Sequence, residues 1–263
     1  MKKSAFVCNF LALALLVVLI SISTGCFTET NTSMNRTEKI TEVTTEVTTE
    51  VSLDANQLLL EAHLKTWKLG NTLILYAGSN RTYDWYLDQA HTGDHSMSNC
   101  GPTSVAMAAK WADASFEGTA EDARDAFRPD GGWWYNADIE GSLTLYNVDY
   151  DAVMIEDINT LRSIIDSGYI AIINNSMGYI ARETDAEAHV NRFYDFDSGH
   201  YLILKGYALV DDRTYFEVYD PNNWDMTYED GTPMGKDRYY EASVFMDSIN
   251  NWYPYAIVIK PAN

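Results

Sequence analysis

The chain has 263 residues with a formal charge of −20, is 46% hydrophobic and 13% aromatic, and divides by composition into a short N-terminal part and a long remainder from Leu53 to Asn263. That 211-residue remainder is long enough to bury roughly 70% of its unfolded surface, which excludes global disorder and a fibrous repeat. The charge leaves no basic field for phosphates and excludes nucleic-acid binding.

Lys2 and Lys3 followed by the apolar stretch Ala5 to Ile20 read as an export signal over residues 1–25. Small residues then lead up to a cysteine in Ile22-Ser23-Thr24-Gly25-Cys26, which resembles the lipobox of bacterial lipoproteins, with Ser23 standing where leucine is usual. The resemblance implies that Cys26 is diacylated and becomes the first mature residue. An uncleaved N-terminal anchor is the alternative. Both place the domain outside the cytoplasm on a membrane tether, at the bacterial cell surface. Residues 26–52 are rich in Thr and Glu, with Thr44-Thr45-Glu46-Val47 repeated as Thr48-Thr49-Glu50-Val51. So little apolar material predicts a solvated, extended segment.

Within 53–263, Leu58, Ala62 and Trp67 have helical spacing up to Gly70, and Leu73 to Tyr76 reads as a strand. Cys100-Gly101-Pro102-Thr103 opens a helix running to about Trp111, since a proline in the first turn forfeits no hydrogen bond. Further helices are expected over Glu121–Phe127, Asp138–Tyr146 and Ile158–Asp166, the last closed by Gly168. Tyr169–Ile173, Tyr201–Tyr207, Tyr215–Tyr219 and Ala256–Ile259 are β-branched and aromatic runs bounded by turn residues, hence strands, with Asp211-Asp212 at a hairpin tip. Helices first and strands afterwards predict an α+β domain whose helical half packs on an antiparallel sheet, with a site in the cleft between them.

Cys8, Cys26 and Cys100 fall in three different regions, so neither a disulfide framework nor a four-cysteine metal site fits the domain. Cys100 opens a helix, where free N–H groups and the helix dipole stabilise a thiolate. His200 lies among strand residues, and Asp220 ends the next strand. Neighbouring antiparallel strands can place those two side by side, the carboxylate fixing the imidazole while its other nitrogen faces the thiol. Gln89 offers an amide to a developing oxyanion together with the Cys100 N–H. These four groups make an acyl-transfer set. A zinc site from His91, His95 and Cys100 would need a helix across Gly93 and a fourth ligand that is not evident. Trp133, Trp134 and Tyr135 are read as packing against the helical half, with a cleft wall as the alternative, and Met107 and Trp111 as core.

Gln89, Cys100-Gly101-Pro102, Gly199-His200 and Asp220-Pro221, with Ser167-Gly168-Tyr169-Ile170 between, resemble in order and spacing the bacteriocin-processing type of papain-like cysteine peptidases, in the exported stand-alone branch of cysteine peptidase family thirty-nine-like domains. Asn99 departs from the Asp that this family more often carries there. The resemblance covers roughly Asp84 to Ile259. It implies a papain-like α+β fold, Cys100 as nucleophile, His200 as base, Asp220 as orienting acid, Gln89 as oxyanion donor, a peptide or protein substrate, and no metal or organic cofactor. The double-glycine leader substrate of the transporter-fused relatives does not carry over. A catalytically silent surface binding module, or acyl transfer and amidase action on cell-wall peptides, are the other readings of the same fold. The negative charge points to cationic substrates.

Overall fold

Strands that are apolar at every position, rather than at alternate ones, need cover on both faces. This chain meets that need with a seven-stranded antiparallel sheet between two groups of helices. The computed structural model describes residues 55–262; the expected signal, Cys26 and the Thr/Glu-rich segment lie outside the described residues.

Helix α1 spans Ala55–His63 and strand β1 Leu73–Gly78. Helices α2 (Cys100–Ala112), α3 (Ala120–Ala126) and α4 (Asn136–Leu145) follow, then β2 (Tyr150–Met154), α5 (Ile158–Asp166) and β3 (Ile170–Ser176). The chain closes with β4 (Gly199–Val210), β5 (Arg213–Tyr219), β6 (Arg238–Glu241), α6 (Ala242–Asn250) and β7 (Tyr255–Ile259). The sheet order is β2-β7-β3-β4-β5-β6, with β1 on β4 as well. Strand β4 is long enough to pair along one edge with β3 through Gly199–Leu204 and with β1 through Gly206–Val210. Among the described residues no helix is long and apolar enough to cross a membrane.

Side chains of a strand alternate between faces, and here each face has its own core. Ile170, Ile172, Tyr201, Ile203, Ile257 and Ile259 meet Val105, Met107 and Trp111 of α2 and Ile139 and Leu143 of α4. Their neighbours Ala171, Ile173, Leu202, Leu204, Ala256 and Val258 meet Leu161 and Ile165 of α5 and Phe245 and Ile249 of α6. Met107 and Trp111 are core residues, as their spacing predicts. Helix starts follow local chemistry: Thr119 and Asp122 form a reciprocal capping box at α3, and Asp157 accepts from Thr160 N–H at α5.

The α+β expectation holds, with three corrections. α1 ends at His63, and the chain reaches Gly70 through turns, because Trp67 folds back to stack on His189 at 3.9 Å. The later elements interleave, with α5 between β2 and β3 and α6 between β6 and β7. Strands β2 and β6 and helix α6 have no counterpart in the sequence reading; β2 is a half-exposed edge strand, β6 spans only four residues, and α6 starts directly from the last residue of β6 without a side-chain cap.

Candidate active site

Cys100 is the first residue of α2, where N–H groups lack carbonyls one turn back. The residue before it is held from two sides. Asn99 is fully buried, donates to the Thr92 carbonyl at 2.8 Å and accepts from Arg124 Nε at 2.7 Å. The Arg124 guanidinium, itself buried, also donates to the Ser98 carbonyl and, across the loop that follows α3, to the Gly132 carbonyl, each at 2.9 Å. Arg124 thus clamps the turn that presents Cys100, and none of these acceptors is a carboxylate. Nothing in the spacing of the sequence singles it out.

His200 is the second residue of β4, and Asp220 follows the last residue of β5. Ile203 pairs with Tyr219, so one step further along the antiparallel register sets Asp220 opposite Leu202, diagonal to His200. The contact is made: His200 Nε2 lies 2.7 Å from Asp220 Oδ1, with both side chains buried. The other ring nitrogen, Nδ1, is left for the thiol, which shares a cavity wall with His200 and is drawn to its charged form by the imidazole. Asp220 has further donors that the sequence reading missed. Its Oδ2 accepts from the hydroxyls of Tyr194 at 2.7 Å and Tyr240 at 3.0 Å, and its Oδ1 also accepts from Asn222 N–H at 2.9 Å. Both tyrosines come from segments without a distinguishing motif, one in a loop and one in β6.

These contacts set the protonation states. Burial would push the Cys100 thiol up, but the hydrogen bond and charge of His200 and the N–H groups of Tyr201 and Gly101 outweigh it, so the thiol titrates below its ordinary value. Burial would lower His200, yet the charge and hydrogen bond of Asp220, joined by Cys100, push it up to about 10. Asp220 is held below the usual carboxylate range: burial acts upwards and is outweighed by the charge and hydrogen bond of His200, the Tyr194 hydroxyl and Asn222 N–H. The favoured state between the thiol and imidazole values is a thiolate–imidazolium pair.

Gln89 opens a short 3-10 turn, Gln89–His91, capped by Asp88. Its N–H donates to the Pro221 carbonyl at 2.9 Å, which ties it to the residue after Asp220. Its Nε2 donates to Ser96 O at 3.2 Å, its Oε1 is buried without a partner, and it lines a cavity of about 420 Å³ together with Cys100 and His200. Three of the four residues singled out by the sequence therefore border one space, and Asp220 lies buried behind His200.

The other aromatic and histidine features separate. Trp134 is buried beneath Gly101, whereas Trp133 and Tyr135 are 54% and 62% exposed and line the cleft, so the expected packing on the helical half is right for Trp134 alone. His91 pairs with Asp225 at 2.6 Å, His95 faces the Pro129 carbonyl at 3.1 Å, and no helix crosses Gly93. Ligand atoms of Asp88, His91 and Asp225 lie within 4.8 Å of one another, but the Asp88 oxygens already accept from the N–H groups of Ala90, Trp224 and Asp225.

Residues 85–248 match the profile of the Peptidase_C39 like family. Among solved structures, the chain is similar to a Bacillus anthracis protein whose crystal structure is described as that of a C39-like peptidase, at 14% identity and a TM-score of 0.48, over 72% of this chain and 100% of that one. No curated protein matches it.

Proposed function

The chain belongs to the Peptidase_C39 like family, and from that premise we propose that it is a membrane-tethered, extracytoplasmic cysteine peptidase that cleaves peptide bonds through an acyl-thioester on Cys100. The observation that carries this is the buried His200–Asp220 pair, with the Cys100 thiol on the wall of the same cavity as His200. In this reading the Cys100 thiolate attacks the scissile carbonyl carbon. The resulting oxyanion accepts from the free N–H of Cys100 and from the second N–H of the Gln89 amide, whose first is held by Ser96. As the C–N bond breaks, the His200 imidazolium gives its proton to the leaving amine. Neutral His200 then takes a proton from water, which attacks the thioester and frees the acid. Asp220, satisfied by two tyrosine hydroxyls and one N–H besides His200, keeps the ring in place and favours its charged form.

A silent binding module has no need of a lowered thiol beside a raised imidazole, and perturbed pairs of this kind favour the active reading. Export and tethering rest on Lys2, Lys3, the Ala5–Ile20 stretch and Cys26. The test of the chemistry is digestion of a peptide mixture by full-length protein in detergent, alongside Cys100→Ala and His200→Ala. Hydrolysis by the parent and none by either variant is expected; hydrolysis that survives Cys100→Ala contradicts the proposal. For the tether, a clickable fatty acid should label the protein in its host, and Cys26→Ala should lose the label; a variant that labels equally removes Cys26 from the anchor.

A further inference from the structure

The site opens into two cavities that share Cys100 and Trp133 in their walls. The larger, about 420 Å³, also presents Met97, Phe196 and Trp224, and the smaller, about 320 Å³, presents Tyr135, Tyr201 and Trp252. Both are at the small end of the roughly 300–1,000 Å³ usual for ligand pockets, a scale that suits single side chains. In a chain of net charge −20, neither cavity is lined by an Asp, Glu, Lys or Arg among the described residues. Asp220 is fully buried with both oxygens engaged. Asp195 and Asp197, close by in sequence, are exposed and line neither cavity.

The walls are built features. Trp133 follows Gly131 and Gly132, whose φ angles of 88° and 89° lie in the left-handed region open to glycine. Its ring approaches that of Phe196 at 6.3 Å, and Phe196 stands edge-on to His200 at 6.2 Å, so residues from the helical and strand halves meet beside the dyad. Trp252, in the turn after α6, lies against Gly199: a Cβ there would come within 2.1 Å of Trp252 Cζ2. A glycine before His200 is what admits the indole. Trp133, Trp252 and Met97 are nevertheless 54%, 49% and 74% exposed. Large apolar side chains left open to water around a reactive group are a recognition surface.

An ionised side chain entering either cavity gives up water and meets no charge beyond the Cys100–His200 pair, whose two charges already neutralise each other. The attraction of an exposed tryptophan face for a cation is too small to offset that. An aromatic or long apolar side chain gains in proportion to the apolar area it buries, and gains further from each ring contact. We propose that the two cavities are the subsites for the residues flanking the scissile bond, that both take uncharged aromatic or long apolar side chains, and that Trp133, shared between them, is the specificity-determining residue. This rests on the peptidase reading. It also replaces the expectation of cationic substrates at the site: the negative field acts outside the cleft, on more distant parts of a substrate.

The test uses full-length protein in detergent with a peptide library derived from a digested proteome, the new ends being read by mass spectrometry. Residues on either side of cleaved bonds should be enriched in Phe, Tyr, Trp, Leu and Met, and depleted at least about tenfold in Asp, Glu, Lys and Arg. Trp133→Ala should raise KM for the best aromatic peptide several-fold to about tenfold, with a smaller change in kcat. Charged flanking residues cut as readily as aromatic ones, or a KM indifferent to Trp133→Ala, overturn the inference. If no bond is cut, it is the peptidase reading that fails, and the subsites are read from retention of the same library on Cys100→Ala protein. Selective retention of uncharged aromatic peptides, lost on adding Trp133→Ala, upholds them; unselective retention overturns them.

Discussion

Replacing Asp220 by Asn isolates the contribution of its charge. The N–H of Asn222, which can only donate, lies 2.9 Å from Oδ1 on the His200 side. An amide therefore keeps its oxygen there, and its NH2 turns to the hydroxyls of Tyr194 and Tyr240, which have lone pairs to accept it. Asp220→Asn thus leaves the tautomer of His200 unchanged and removes the negative charge. Holding His200 at about 10, against an ordinary 6.5, corresponds to roughly 5 kcal/mol in favour of the imidazolium at about 1.36 kcal/mol per pH unit. Burial opposes that preference, so the carboxylate and the thiolate supply it. Without the carboxylate, burial returns His200 to its ordinary value or below, and neutral thiol and imidazole replace the ion pair at neutral pH. In the parent, activity appears as Cys100 deprotonates, below its ordinary value, and is lost on the basic side only as pH passes about 10. In the variant the thiol midpoint should rise to about 8.5 or higher, and turnover should fall by about 100-fold to 10,000-fold. The assay is the rate of iodoacetamide alkylation of Cys100 from about pH 5 to about pH 11, with single-turnover hydrolysis and Tm on the same sample. An unchanged midpoint and a near-normal rate with a lowered Tm would mean that Asp220 only shapes the turn before Pro221.

Gln89→Ala should lower kcat by about 100-fold to 1,000-fold with little change in KM, because an oxyanion donor acts in the transition state; steady-state kinetics showing the reverse would make Gln89 a binding contact. Arg124→Gln removes the donors to the fully buried Asn99 Oδ1 and to the partly buried Ser98 and Gly132 carbonyls, so Tm should fall by roughly 5–10 °C in thermal melts, and a fall of under about 2 °C would show that the clamp is dispensable. His189, stacked between Trp67 and Tyr228, is held by burial down to about 4, so the unfolded chain binds its proton first as pH falls through 6.5. Stability should accordingly drop by about 2 kcal/mol between about pH 7.5 and about pH 5 in urea melts, and His189→Phe should remove that dependence; an equal drop in the variant would assign it elsewhere.

What the sequence made legible is what local chemistry decides. A proline two residues into α2, the runs of β4 and β5 and the glycine that closes α5 each act within a few residues of themselves, and they predict where Cys100, His200 and Asp220 stand. The interleaving of helices and strands was not legible, because the near-continuous apolar runs of β3, β4 and β7 announce burial on both faces without saying which helix covers which. Tyr194, Tyr240 and Arg124 were missed for a related reason. Each reaches the site by a contact of 20 or more residues in sequence separation, and each could equally have been core or surface until its partner was known. Gly199 was legible as a motif letter only; its role as the floor beneath Trp252 depends on a turn more than fifty residues away.

The central claim is that Cys100 carries the acyl group of a cleaved peptide. Full-length protein mixed with a peptide substrate, quenched in acid before one turnover is complete and read by intact and peptide-level mass spectrometry, addresses it directly. An adduct with the mass of the substrate's acyl half is expected on Cys100, absent in His200→Ala on the same timescale and released by hydroxylamine. Cleaved peptide without an adduct, or an adduct on any other residue, contradicts it.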